Sequence, residues 1–233
     1  YCDISVMPTT KPIDEKYFLQ DDSTVNQIIT ENKLDPNGFI NRDGHPGPFD
    51  KHFLLKYRSA FSHETEKASP GYYSVKLEDD NIDVELTVNE FVGMHHYLFN
   101  ENSDIQSVVL NLGFTNSDKT TDALIRYRSP GLVTGYRFST GKANVHRVYF
   151  AMQFSRKMKE YKSFQSNETD TNNQTAKGEK LATVFSFDGK ESNELLLKVA
   201  ISSVSEEGAL ANLRTADSFG WDFEKMQNQT LEK

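Results

Sequence analysis

Apolar and polar residues alternate through much of the chain. Tyr73, Val75 and Leu77 alternate with Ser74, Lys76 and Glu78, and Ile82, Val84, Leu86 and Val88 alternate with Asp83, Glu85, Thr87 and Asn89. A period of two sends successive side chains to opposite faces, so each run predicts a strand with one buried and one wet face. The polar link Glu78-Asp79-Asp80-Asn81 between them predicts a hairpin turn. Leu55, Tyr57 and Ser59, alternating with Lys56 and Arg58, predict another strand. Further strands are expected over 91–99, 105–114, 123–128, 132–139, 146–154, 181–187 and 195–204. Ile4-Ser5-Val6-Met7 predicts one more, stopped by Pro8, which has no N–H to give to a ladder. Many short strands joined by Gly, Asn and Asp turns predict a mainly β chain folded as an antiparallel β-sandwich.

Three stretches break the pattern. Residues 20–52 are punctuated by Asp35-Pro36-Asn37-Gly38 and Gly44-His45-Pro46-Gly47-Pro48. Such clusters mark turns, so 11–51 is expected to be a long loop or insertion, with a short helix over 23–32 capped by Ser23. Residues 165–180, rich in Asn, Thr, Glu and Lys, are expected to be an exposed loop between strands. Beyond 205 the period changes. Ser205 is placed to cap a helix carrying Ala209, Leu210, Leu213 and Ala216, and Glu206-Glu207 suits its positive end. Phe219-Gly220-Trp221 breaks that helix, and 222–233 predicts a second one. The expected organisation is therefore a sandwich over 1–205 and a helical linker over 206–233, leading toward a helical domain.

Composition narrows the function. The chain has 233 residues, enough for one large all-β domain with a sizeable core, and 12% are aromatic. A net charge of -8 argues against a nucleic-acid partner, which needs clustered Lys and Arg. No apolar run approaches the roughly 20 residues of a membrane span. The single Cys2 excludes an internal disulfide or a Cys-rich metal site. Three Asn-X-Thr triplets, at Asn167, Asn173 and Asn228, fit the glycosylation pattern but arise readily by chance in polar segments. Tyr1 opens directly on a strand and Lys233 closes a polar helical stretch, so the chain is expected to be an excised segment.

Little in the chain carries chemistry of its own. His95 and His96 are adjacent, so on a strand they point to opposite faces, one toward the core and one toward solvent, and cannot share a metal ion. Phe138-Ser139-Thr140-Gly141-Lys142 lacks the upstream Gly of a phosphate loop and reads as a turn. Glycosidase chemistry needs two carboxylates, but with 34 acidic residues a pair found by composition means nothing. Glu66 has the one unusual setting. His63, Glu66, Tyr72 and Tyr73 surround a Pro70-Gly71 turn and could build a polar site with an aromatic wall. The plainer alternative has His63 and Glu66 bonding only to backbone.

At these residues the chain resembles a known family. Ser62-His63, then Glu66-Lys67-Ala68-Ser69-Pro70-Gly71-Tyr72-Tyr73-Ser74-Val75, is similar to a signature segment of glycoside hydrolase family 92. Asp3 to Thr10, Val84-Glu85-Leu86-Thr87 and Phe91 to Phe99 resemble its strands in the same order. So do Lys198 to Ser205, Ala209 to Leu213 and Gly220-Trp221-Asp222-Phe223. The segment 11–51 has no counterpart. Where the family's pattern carries Arg, this chain has Phe91 and His96.

The resemblance implies a calcium-dependent exo-α-mannosidase that acts on mannose-containing glycans and inverts the anomeric centre. It implies a galactose-mutarotase-like supersandwich followed by an (α/α)6 catalytic domain of the same polypeptide. That second domain would supply the catalytic carboxylates and most calcium ligands. The sandwich would lend loops to the shared site, with His63, Glu66, Tyr72 and Tyr73 as substrate-binding candidates and no catalytic or metal-ligating residue in this segment. Alone it would be inactive, and the whole protein would be secreted or periplasmic in a bacterium. The other reading left open is a stand-alone carbohydrate-binding sandwich. Against it, the one Trp, Trp221, lies in the helical tail, where it is expected to pack the linker against the next domain.

Overall fold

The structure is a computed structural model that describes residues 4–14, 18, 39–40, 46–47, 57–101, 103–114, 118–141, 143–165, 168–170 and 174–231. The chain divides into two compact units, one of Tyr1–Pro12 with Ser59–Lys233 and the other of Ile13–Arg58. In the smaller unit, β2 (Phe39–Ile40) and β3 (Pro46–Gly47) pair antiparallel. Phe18 and Tyr57 are both buried there, their rings 5.8 Å apart. The strand expected from 55 to 59 is absent at Tyr57, Arg58 and Ser59, which are turn and irregular backbone. The helix expected over 23–32 lies outside the described residues.

The larger unit holds the other strands. They are β1 (Ser5–Thr9), β4 (Lys67–Ser69), β5 (Tyr72–Leu77), β6 (Ile82–Val88), β7 (Val92–Leu98), β8 (Ile105–Asn111) and β9 (Lys119–Ser129). After these come β10 (Leu132–Thr140), β11 (His146–Phe154), β12 (Glu160–Phe164), β13 (Glu168–Asp170), β14 (Thr175–Lys177), β15 (Ala182–Asp188) and β16 (Glu194–Ser202). Two helices follow, α1 (Glu206–Arg214) and α2 (Phe223–Leu231), with a single 3-10 turn at Asp217–Phe219 between them. Among the described residues, a small sheet runs β1-β8-β15-β12 and a large one runs β13-β14-β9-β10-β11-β16-β7-β6-β5-β4, with every pairing antiparallel.

The expected alternation produces this pairing of sheets. Val75, Leu77, Ile82, Val84, Tyr97, Ile125, Phe150, Leu195 and Leu197 of the large sheet meet Val108, Leu110, Phe185 and Phe187 of the small one in the main core. The fold is the expected mainly β sandwich with C-terminal helices. The large sheet is also covered on its far side. There Val92, Met94, Ala151, Leu196 and Ala200 form a second core with Ala209, Leu213, Ala216, Phe219, Phe223 and Met226 of the helical segment. Trp221 packs against this core of its own unit, with Lys198 Nζ 4.8 Å from its ring centre.

Several elements differ from expectation. Pro8 does not stop β1, which runs through it to Thr9. The strand lies at the end of its sheet, where an unpaired side tolerates a missing N–H. The polar stretch 165–180 is no simple loop, because β13 and β14 form a hairpin that extends the large sheet beyond β9. The short, polar strands β4 and β12 carried no clear alternation. The α1 cap stands as expected: Ser205 accepts from the Gly208 N–H at 3.0 Å. Gly220, at φ +57, gives the break before α2 a backbone conformation that other residues rarely adopt.

Candidate functional site

The candidate residues sit at the β4–β5 end of the large sheet. The turn between those strands uses Gly71 at φ +72, and a Cβ there would come within 2.6 Å of the Thr230 methyl on α2. The preceding loop is tied to the β5–β6 hairpin. Glu78 N–H donates to Ala60 O at 2.8 Å, Ala60 N–H to Asp79 Oδ2 at 2.9 Å, and Asp79 N–H to Ser59 Oγ at 3.0 Å. Within the loop, Ser62 O accepts from both the amide and the hydroxyl of Thr65, and Ser62 Oγ accepts from Glu64 N–H.

This scaffold brings three of the four candidates together. His63 Nδ1 lies 2.5 Å from Glu66 Oε2, and Tyr73 OH donates to Glu66 Oε1 at 2.7 Å. Glu66 and His63 therefore bond to side chains and to each other, not merely to backbone. The Tyr73 bond and then His63 hold the Glu66 carboxyl below the usual range. Burial, reinforced by Glu66, pushes the Tyr73 phenol up to about 12. Glu66 is thus an ionised acceptor with both oxygens engaged, suited to orienting His63 rather than to giving up a proton. The His63 side chain is 85% exposed, and Nε2 is the nitrogen that Glu66 does not engage. Phe61, 48% exposed, stands edge-on to His63 at 5.4 Å.

Tyr72 belongs elsewhere. Adjacent strand residues face opposite ways, so Tyr73 packs on the main core while Tyr72 packs on the second core. Tyr72 OH donates to Glu85 Oε1 at 2.6 Å, and its ring meets Phe223 edge-on. His96 Nδ1 lies 2.8 Å from Glu85 Oε2. His96 Nε2 is 2.8 Å from Glu194 Oε1, outside hydrogen-bonding geometry. Burial raises the Glu85 carboxyl, but the bonds from Tyr72 and His96 outweigh it and leave it below its ordinary value.

This Tyr72–Glu85–His96 network escaped the reading of the sequence. Its signal was register, since Glu85 and His96 stand directly opposite each other in the β6–β7 pair. The two histidines do point to opposite faces, but His96 does not face open solvent: it lies beside Phe223 of α2. His95 faces the other way, 2.6 Å from Tyr97 OH through Nδ1, and burial pulls its pKa down to about 4. Among the described residues, no three His, Cys, Asp or Glu side chains are grouped so as to hold a metal ion. Among them, too, no helix is long and apolar enough to cross a membrane.

Residues 46–202 match the sequence profile of the glycosyl hydrolase family 92 N-terminal domain. No curated protein matches the chain. Among solved structures, the family GH92 α-mannosidase BT3965 from Bacteroides thetaiotaomicron superposes with a TM-score of 0.74 at 25% identity, covering 98% of this chain and 27% of its own. It has also been solved in complex with mannoimidazole. The family GH92 inverting mannosidase BT2199 from the same species gives a TM-score of 0.64 at 19% identity, over 98% of this chain and 25% of that one. The family GH92 glycosyl hydrolase ccman5 gives 0.67 at 19%, over 99% and 27%. The chain thus spans about a quarter of the length of these solved relatives.

Proposed function

Because the chain belongs to the glycosyl hydrolase family 92 N-terminal domain family, we propose that it is the sandwich domain of a longer α-mannosidase, which removes terminal α-linked mannose from glycans by inverting hydrolysis. The observation that carries this reading is the superposition of nearly the whole chain on about a quarter of α-mannosidase BT3965, at 25% identity. Inversion needs an acid and a base roughly 6.5 to 9.5 Å apart across the bond, with room for a water. In this proposal both come from polypeptide outside Tyr1–Lys233, in an (α/α)6 catalytic domain. Among the described residues no three His, Cys, Asp or Glu side chains are grouped to hold a cation, and in this proposal calcium is held mainly by that polypeptide, with no step assigned to it here. The same proposal has the protein act on glycans outside the bacterial cytoplasm.

This segment's contribution is the loop bearing His63, Glu66 and Tyr73. Glu66, fixed by Tyr73, turns the exposed His63 ring so that Nε2 can bond a sugar hydroxyl, while Phe61 adds an apolar edge. Tyr72 is left out of this role because it is committed to Glu85 beneath α2. The test is proton NMR of the full-length polypeptide acting on an aryl α-mannoside. The β-anomer of mannose is expected first, before mutarotation. Initial α-mannose would overturn inversion, and full activity after exhaustive chelation would overturn the calcium requirement.

A further inference from the structure

The loop that carries His63 is a span with two fixed ends. Its start is tied to the β5–β6 turn through Ala60, whose N–H and carbonyl both bond there. Its other end runs into β4, which pairs with β5 through Ala68↔Tyr73 and Ser69↔Tyr72. What holds that second end is α2. Gly71, in the β4–β5 turn, lies so near the helix that a Cβ would meet the Thr230 methyl at 2.6 Å. Thr230 is itself fixed, because its hydroxyl donates to Val88 O and lies within bonding distance of Met226 O. The Thr87 hydroxyl donates to Gly71 O at 2.8 Å and closes the turn against β6.

Tyr72, the next residue, is gripped at the other end of α2. Its ring stands edge-on to Phe223 at 6.3 Å within the second core. Its hydroxyl donates to Glu85 Oε1 at 2.6 Å. Burial, and then Glu85, push the Tyr72 phenol up, so it stays a donor at neutral pH. Glu85 is held in turn by His96, whose ring is 5.9 Å from Phe223. Tyr73 follows directly on β5, and strand geometry sends it to the opposite face. There its hydroxyl reaches Glu66 at 2.7 Å, and Glu66 engages His63. A hydrogen bond weakens steeply as its length and angle depart from the optimum. Sliding of β5 at Tyr72 therefore draws the Tyr73 hydroxyl off Glu66 and leaves His63 without a fixed orientation.

We infer that α2 positions the His63 loop for sugar, with Tyr72 as the positioning residue that connects Phe223 to Tyr73, Glu66 and His63. The inference rests on the sugar contact proposed above for His63. It gives Tyr72, which touches no sugar in that proposal, a part in binding that runs through its neighbour. It also makes the seating of a helix on one face of the large sheet a determinant of binding at a loop served by the other face.

Two measurements on the full-length polypeptide test it, each made on Tyr72→Phe and on Phe223→Leu. The first variant keeps the ring and loses the bond to Glu85; the second keeps an apolar anchor on α2 and loses the aromatic edge. Hydrogen exchange needs no sugar. Both variants are expected to exchange the amides of Glu64 to Ser69 about threefold faster, or more, than the unsubstituted protein. Steady-state kinetics on an aryl α-mannoside then read the consequence. Each variant is expected to lower kcat/KM about threefold, through KM rather than kcat. Made in Glu66→Gln, neither is expected to lower it further, because the link to His63 is already cut. Unchanged exchange overturns the inference, and so do losses that add to that of Glu66→Gln, since Tyr72 would then act by general destabilisation. Full kcat/KM in Glu66→Gln overturns the sugar contact of the loop and the inference with it, and it alone among these outcomes touches that contact.

Discussion

Glu66 shows how a single side chain can be committed without being reactive. Its two oxygens are taken by Tyr73 and His63, and those bonds keep it ionised. Glu66→Gln removes the charge and replaces one acceptor with a donor, so His63 loses its orientation. In the full-length enzyme this is expected to lower kcat/KM by about an order of magnitude while leaving the fold intact, read from steady-state kinetics beside circular dichroism. His95 makes a second residue-scale prediction. Above pH 6.5 it is neutral in both folded and unfolded chains and costs nothing. As pH falls from 6.5 toward about 4, the unfolded chain takes up a proton that the half-buried ring resists, so stability is lost over that window. The gap corresponds to roughly 3 kcal/mol at most. Denaturation midpoints at pH 7.5, 5 and 4 should show that loss in the wild type and its reduction in His95→Gln. The His63–Glu66–Tyr73 cluster was legible because its members lie close in sequence around one turn. Glu85 with His96 was not, because only strand register brings them opposite each other.

Elements with two-residue alternation over six or more positions were legible, and β5, β6, β10 and β11 fall where alternation put them. The failures share a physical cause. β13 and β14 are three residues each and gain their partners only by lying against β9, so nothing local distinguishes them from a polar loop. Pro8 was read by what it removes from a ladder, yet an end strand has a side on which nothing need be donated. Helix capping, by contrast, is local chemistry and was readable from Ser205 alone. Ser205→Ala leaves the Gly208 N–H without its acceptor and is expected to cost about 1 kcal/mol, measured by urea denaturation of the 233-residue chain. The helices it starts are held down at more points than the cap. Lys198, buried in the large sheet, donates to Ala216 O at 2.9 Å and lies over Trp221.

At the scale of the molecule, the large sheet serves two cores. One face meets the small sheet and the other meets the helical segment, so α1 and α2 are an integral layer of this unit as much as a link to anything beyond it. The sandwich class followed from alternation. The second core did not, because a strand buried on both faces, such as β16, lacks alternation and its covering helices are far along the chain. The proposed site, likewise, is only partly written in this segment: an orienting carboxylate, an exposed imidazole and an aromatic edge are proposed to bind sugar, and the acid and base across the glycosidic bond are proposed to come from elsewhere in the polypeptide. The account therefore divides binding from bond cleavage between two parts of one polypeptide. The most direct test is mannose release from an aryl α-mannoside by the full-length polypeptide and by the 233-residue chain, assayed side by side at equal concentration. The account predicts release by the full-length polypeptide and none above background by the 233-residue chain. Release by the 233-residue chain, or none by either, would contradict it.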